Sequence, residues 1–181
     1  GRELWFKQGV VDDRSLNASH QGGNPSLVDL RIKRNTPTKL DAEHLLNDYL
    51  PFCSAFIKRD VFDSIGLLPE DYFLYFEDVD FCLRAEEAGY QIATNLEIYG
   101  YHEINGSTSN GATLGYYNTR NRLILARQRG HIGVGFVGTF TWWVALMVVG
   151  KFLQGDTPTV HGIIRGLADG VRNIDGRGPF P

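Results

Sequence analysis

The stretch that decides the fold is Tyr72-Phe73-Leu74-Tyr75-Phe76-Glu77-Asp78-Val79-Asp80. An aromatic block of large apolar residues is followed at once by three carboxylates. Acidic side chains are favoured at the positive N-terminal end of a helix, and Gly commonly ends one. The stretch therefore predicts a helix that begins at Glu77, runs to Ala88 and stops at Gly89.

Two interpretations of the carboxylates stay open from the residues alone. Residues 70–87 contain seven of the chain's 21 acidic residues, and a solvated helix face accounts for Glu86 and Glu87. The three carboxylates that follow the aromatic block are expected at the rim of a core, where a functional site is one explanation. Capping of the helix start and interaction with its dipole is the other.

Outward from this stretch, short apolar runs alternate with helical patterns, which predicts an α/β fold. Strands are predicted at Leu4–Val11, Tyr49–Ile57 and Tyr90–Tyr101, and residues 15–25 are predicted to form a loop. Further helices are predicted at Lys58–Ile65, Thr113–Arg129 and Val160–Ile174.

Composition limits the class of protein. The chain has 181 residues, 43% hydrophobic and 22% charged, which fits one folded domain and excludes a disordered or collagen-like chain. A net charge of −3 argues against a nucleic-acid partner. Cys53 and Cys82 are too few for a disulfide scaffold and lack zinc-site spacing, so a cytoplasmic location is expected.

Two features follow residue 113. Arg120, Arg122, Arg127 and Arg129 lie on one predicted helix, where a solvated face and an anion-binding role stay open. Residues 132–150 carry no charge. A core or partner-packing helix is favoured for them, ahead of a helix lying on the inner face of the cell membrane and, third, a membrane span. We predict two regions, 1–130 and 131–181, the second a helical extension.

Four runs of the chain resemble, in order and spacing, the acceptor-side, C-terminal part of family 2 glycosyltransferases, particularly their rhamnosyltransferase-like branch. They are Cys53–Gly66, Tyr72–Arg84, Tyr101-His102 with Ser107–Ser109, and Tyr116–Arg122. The resemblance implies a partial GT-A (Rossmann-like) nucleotide-diphospho-sugar transferase fold with C-terminal helices. It further implies inverting transfer of a sugar such as rhamnose from a nucleoside-diphosphate sugar to a saccharide or lipid-linked acceptor, in cell-surface polysaccharide synthesis.

The resemblance also implies roles for individual residues. Asp78 is the general base, because a positioned carboxylate can take the proton of an attacking hydroxyl. Glu77 and Asp80 orient the acceptor, and Arg84, one turn on, holds Asp80. The resemblance further implies that Arg120 binds the diphosphate of the donor. It also implies that His102 is a ligand of a divalent ion, Mg or Mn, which neutralises the diphosphate leaving group.

One motif of the resembled family is not recognisable. Its Asp-x-Asp pair belongs upstream, and Asp12-Asp13 is predicted to be a turn instead. We therefore expect the donor-binding half to lie outside this chain. A non-catalytic module that binds a glycan or a partner chain with the same surface stays open as the alternative function.

Overall fold

The computed structural model describes residues 6–21, 41, 43–98, 100 and 110–180. The chain divides into two compact units. Unit 1 comprises Gly1–Asp12, Asn17–Leu68 and Asp78–His102, and unit 2 comprises Asp13–Leu16, Pro69–Glu77 and Glu103–Pro181. Helices and strands both occur, so the α/β class is confirmed. The GT-A fold and a boundary at residue 130 stay predictions.

Unit 1 contains two small antiparallel sheets. Strands β1 (Gln8–Val11) and β2 (Ala18–Gln21) pair with Gln8 opposite Gln21. Strands β3 (His44–Leu46) and β4 (Ala93–Asn95) pair with Leu45 opposite Thr94. Within the described ranges no strand pair is parallel.

Asn47 joins the two sheets of unit 1. Its Oδ1 accepts a hydrogen bond from the Gly9 backbone at 2.7 Å, and its Nδ2 donates to Thr94 Oγ1 at 3.0 Å. The next residue, Asp48, accepts from the Val11 backbone at 2.8 Å. A buried amide side chain of this kind satisfies backbone groups that would otherwise lack partners, so it holds β1 against β3 and β4.

Helices α1 (Arg59–Ile65) and α2 (Glu77–Glu87) supply the apolar core of unit 1. The Phe81 ring of α2 lies 5.5 Å from that of Phe52 and 5.3 Å from that of Phe62. Gly66 follows α1 and Gly89 follows α2, both with positive φ. These are conformations that Gly adopts without steric cost, which explains where the two helices end.

The regular secondary structure in the described part of unit 2 is helical. It contains α3 (Gly111–Gln128), α4 (Val134–Leu153) and α5 (Thr157–Val171). Asn110 caps α3 by accepting from the Ala112 backbone at 3.0 Å, and Asp156 caps α5 by accepting from Thr159. Such caps satisfy amide groups that have no partner within the helix.

Helices α3 and α5 pack side by side and parallel. A Cβ atom at Gly162 would collide with the Ala112 backbone, and one at Gly166 would collide with the Tyr116 backbone. A Cβ at Gly170 would lie 3.2 Å from the Arg120 carbonyl oxygen. The partner positions advance together along both helices, so the two run in the same direction. Small residues permit this close approach.

The helix predictions are confirmed and two other predictions are wrong. The five helices match the predicted ones to within a few residues. Residues 49–57 are not a strand, because their apolar side chains pack as a loop, with Phe52 and Ile57 against the Phe81 core. Residues 18–21 are not loop, because backbone pairing with β1 makes them a strand despite their polar side chains.

Candidate functional site

Three carboxylates begin α2, as the sequence predicts. Glu77 is the first residue of the helix, Asp78 the second and Asp80 the fourth. The first turn of a helix has amide groups without intrahelical acceptors and a partial positive charge, so negative side chains are stabilised there. The Asp78 carboxylate accepts a hydrogen bond from the Val79 backbone at 2.8 Å.

Asp80 is buried and held by Arg84. Arg84 Nε donates to Asp80 Oδ2 at 2.8 Å, and its terminal nitrogens donate to the carbonyl oxygens of Ile65 and Leu67. The predicted holding role of Arg84 is confirmed. The contact fixes one Asp80 oxygen, and the role of Asp80 toward an acceptor stays a prediction.

Glu77 lies in a less polar environment than an exposed glutamate. Burial raises the pKa of the Glu77 carboxyl above its usual value. Within the described ranges its Oε2 is buried and has no hydrogen-bond partner. A buried carboxylate oxygen without a partner costs stability when it is ionised. Such a carboxylate oxygen can accept a hydrogen bond from a bound ligand, for example from a sugar hydroxyl.

Replacement of Glu77 by Gln is expected to raise the free energy of unfolding near neutral pH, and by less at about pH 4. Because the pKa of Glu77 is raised in the folded protein, the folded state binds this proton more tightly than the unfolded chain. Its contribution to stability is present below the unfolded pKa and is lost as the pH rises through the folded pKa. Gln cannot ionise and escapes that loss.

Urea unfolding of the parent and Glu77→Gln at the two pH values measures the difference. Glu70→Gln is the matched control, since Glu70 is an exposed glutamate of the same segment. A Glu77→Gln effect that is equal at both pH values would contradict the assigned effect of burial.

The backbone that leads into Glu77 is strained. We call residues 72–76 the aromatic loop. Phe73, Tyr75 and Phe76 all have positive φ, at 61°, 64° and 76°. For a residue other than Gly, a positive φ costs about 1–2 kcal/mol of conformational energy. Three such residues in one short loop persist only if neighbouring contacts impose these angles. Strain of this kind is concentrated at functional sites.

Asn121 supplies those contacts. It is fully buried on α3, and its Nδ2 lies within hydrogen-bond distance of three carbonyl oxygens of the aromatic loop. The distances are 3.0 Å to Tyr72, 2.7 Å to Leu74 and 2.8 Å to Tyr75. One amide group thus satisfies a turn of backbone that has no regular secondary structure.

Arg120 completes the attachment, and we call Arg120 with Asn121 the Arg–Asn clamp. Arg120 Nη2 donates to the Tyr72 carbonyl at 2.8 Å, Nη1 to the Gly176 carbonyl at 2.7 Å, and Nε to Asn121 Oδ1 at 2.8 Å. Its guanidinium also lies 4.9 Å from the ring centroid of Tyr117. Carbonyl dipoles and ring faces offset the cost of burying the charge.

The partners of Arg120 differ from the one that the resemblance implies. Its guanidinium is fully buried, and the partners described are protein groups of unit 2. Contact with a donor diphosphate would require some of these bonds to be exchanged. The diphosphate role of Arg120 stays a prediction, whereas its holding of the aromatic loop is observed.

The solvated-face interpretation is wrong for Arg120 and Arg122, the first two of the four arginines of α3. Arg122 is also buried, and its guanidinium lies 4.6 Å from the Trp143 ring centroid and 5.4 Å from that of Phe140. Arg127 donates to the Gly170 carbonyl near the C-terminal end of α5. These arginines join α3 to its neighbours.

Sequence reasoning missed the role of Asn121. A signal for the clamp was present in Tyr116 and Tyr117, which lie four and three positions before Arg120 and therefore on the same helix face. Aromatic rings on that face indicate a stacked guanidinium rather than a solvated one.

The predicted metal ligand His102 lies outside the described residues. Within those residues no group of three His, Cys, Asp or Glu side chains is arranged to hold a metal ion. The described part therefore does not make a metal site by itself, and we assign no reaction step to a metal. His102 as a ligand stays a prediction.

Comparison with known proteins points to sugar transfer in the broad sense. No family model matches the chain. The chain is similar to the low-salt glycan biosynthesis hexosyltransferase Agl10 of Haloferax volcanii, with 22% identity over 188 aligned positions. The alignment covers 86% of this chain and 61% of that protein, so the chain spans less than two thirds of its relative. At this level the similarity supports a glycosyltransferase in the broad sense and extends neither to a GT-A fold nor to a particular sugar.

Proposed function

We propose that this chain is the acceptor-side part of an inverting glycosyltransferase. The observation that carries the proposal is the set of three carboxylates at the start of α2, directly after a strained aromatic loop that a buried clamp holds. The similarity to a hexosyltransferase over most of this chain supports it. The donor is a nucleoside-diphosphate sugar, rhamnose being one candidate, and the acceptor is a saccharide or lipid-linked saccharide of a surface polysaccharide.

In the proposed reaction Asp78 is the general base. The acceptor hydroxyl gives its proton to the Asp78 carboxylate while its oxygen attacks the anomeric carbon from the face opposite the diphosphate. The bond between that carbon and the diphosphate oxygen breaks, and its electron pair leaves with the diphosphate, so the configuration inverts. A hydroxyl is a weak nucleophile near neutral pH, which is why a positioned base accelerates the step.

The acceptor must be oriented as the proton is transferred. Glu77 is the proposed orienting group, because its raised pKa and its Oε2 suit a hydrogen bond with a sugar hydroxyl. Asp80, fixed by Arg84, is proposed as a second contact. For the donor side, we propose that Arg120 contacts the diphosphate and that a GT-A nucleotide-binding half lies upstream. Mg or Mn, with His102 as one ligand, would stabilise the leaving diphosphate.

Titration calorimetry tests the proposal. Uridine, guanosine and thymidine diphosphate sugars with Mn²⁺ are titrated into this chain and into a form extended upstream of Gly1. We expect binding to the extended form only, because the donor half is proposed to lie upstream. Simple saccharides serve as the second set of ligands. Saccharide binding without donor binding in either form would contradict the enzyme and favour the alternative, a non-catalytic glycan-binding module.

A further inference from the structure

Helix α4 (Val134–Leu153) exposes an apolar face in its C-terminal half. Of its residues, Phe136 and Phe140 are the buried ones. One stripe of large side chains, more than half exposed, recurs at i, i+4, i+7 and i+11 and lies away from the two buried rings: Trp142, Leu146, Val149 and Leu153. Outside this stripe, Val134, Val137 and Phe152 are also exposed. The helix is long and apolar enough to cross a membrane by length and composition. In this structure it is not the core helix that the sequence favours.

The buried side of α4 is firmly attached to unit 2. Phe136 and Phe140 stack at 5.4 Å between ring centroids, and Phe140 stacks on Trp143 at 6.1 Å. Arg122 of α3 lies over the last two rings, and Lys151 at the end of the helix pairs with Asp156 at 3.3 Å. The exposed face is therefore a surface of fixed shape. Exposed apolar patches of this extent mark interaction sites.

The packing of α3 and α5 argues against a span. Because these helices are parallel and in register, the start of α5 lies beside the start of α3. Helix α4 connects the end of α3 to the start of α5, so it runs back along α3 for about 30 Å. If α4 crossed a bilayer, α3 and α5 would enter the hydrocarbon with it. They carry buried Arg120, Arg122 and Asp169, and charges at that depth cost several kcal/mol each.

Charge favours an anionic surface as the occupant. Residues 110–180 contain eight basic and three acidic residues, although the whole chain carries a net charge of −3. Arg120, Arg122 and Asp169 are buried, so six basic and two acidic residues of this range reach the surface. Basic residues beside an apolar helix are attracted to anionic headgroups. Trp142 is 67% exposed on the apolar face, and indole rings favour the boundary between headgroups and acyl chains.

We propose that α4 lies in the interface of an anionic bilayer, parallel to its plane, with the face that carries Trp142, Leu146 and Val149 toward the acyl chains. The inference goes beyond the proposed sugar transfer and does not depend on it. The membrane then holds unit 2 at the surface where a lipid-linked acceptor would be presented.

Vesicle flotation tests the binding. This chain is mixed with vesicles of phosphatidylcholine and phosphatidylglycerol, and with vesicles of phosphatidylcholine alone. We expect flotation with the anionic vesicles, weaker flotation with the neutral ones, and loss at high salt. Leu146→Glu and Val149→Glu are each expected to lower the bound fraction about tenfold. Leu67→Glu is the matched control, since Leu67 is 75% exposed and lies in unit 1.

Fluorescence of Trp142 measures how deeply α4 lies in the bilayer. Trp142 lies near the middle of α4, so a span would place it at the centre of the bilayer and an interfacial helix would place it near the headgroups. The fluorescence difference between the parent and Trp142→Phe isolates its signal. We expect stronger quenching by bromine attached near the headgroup than by bromine near the acyl chain end.

Three results would overturn the proposal. The first is equal flotation of the parent and Leu146→Glu when circular dichroism shows both to be folded. The second is stronger quenching of Trp142 by the deep bromine, which indicates a span. The third is absence of flotation. If the chain then forms a dimer that Leu146→Glu dissociates, a second copy covers the apolar face. If it is a monomer, the face does not bind a membrane.

Discussion

Replacement of Asp78 by Asn in a form that binds donor is expected to lower the rate of sugar transfer by about a hundredfold or more, with the donor dissociation constant nearly unchanged. General base catalysis contributes about 10²–10⁴ in rate, and an amide cannot take the proton. Asn has the same shape as Asp, and its Oδ1 can still accept from the Val79 backbone, so the start of α2 is expected to remain folded. Transfer is measured as nucleoside diphosphate released in the presence of acceptor.

Asp63→Asn is the matched control for this substitution. Asp63 is an exposed aspartate of α1, paired with Arg59 at 3.2 Å, and it has no proposed part in the reaction. Its rate is expected to equal that of the parent. Turnover by Asp78→Asn within a few-fold of the parent would remove Asp78 as the base, whatever the fate of the glycosyltransferase assignment.

Replacement of Asn121 by Ala is expected to lower the free energy of unfolding by about 3 kcal/mol. The substitution removes the described hydrogen-bond partner of the Leu74 and Tyr75 carbonyl oxygens and leaves Arg120 Nε without Asn121 Oδ1. Buried polar groups that lose their partners cost about 1–3 kcal/mol each. The strained φ angles of the aromatic loop also lose the contact that imposes them. Urea denaturation followed by circular dichroism measures the change.

Asn118→Ala provides the comparison on the same helix. The Asn118 side chain donates to the Leu114 carbonyl in an exposed position, where water can replace it. A change within about 0.5 kcal/mol is expected. If the two asparagine variants lost equal stability, the clamp would have no special part in holding the aromatic loop. Loss of stability at Asn121 with full sugar transfer would confine the clamp to a structural role.

Helix positions were readable from the sequence because their signals are local. Gly66 and Gly89 end α1 and α2, and acids begin α2, all without help from distant residues. The strand predictions failed because side-chain patterns do not show which backbone segments pair. Strand β3 pairs with β4, about fifty positions later in the chain. Residues 18–21 are mostly polar, and they form a strand because their backbone pairs with that of β1.

The candidate site was likewise predicted only in part. The carboxylates at the start of α2 were predicted, since charge and apolar neighbours are visible in the sequence. The clamp was not, because the burial of Arg120 and Asn121 depends on a loop almost fifty positions earlier in the chain. An arginine on an amphipathic pattern is usually solvated, and here the carbonyl groups of the aromatic loop take the place of water.

The glycines of α5 have a consequence for the order of folding. Gly162, Gly166 and Gly170 recur every four residues, and each costs a helix about 1 kcal/mol relative to Ala. Helix α5 therefore has little tendency to form alone, whereas α3 has none of these penalties after Gly115. Folding of unit 2 is thus expected to begin at α3, with α5 becoming helical as it docks.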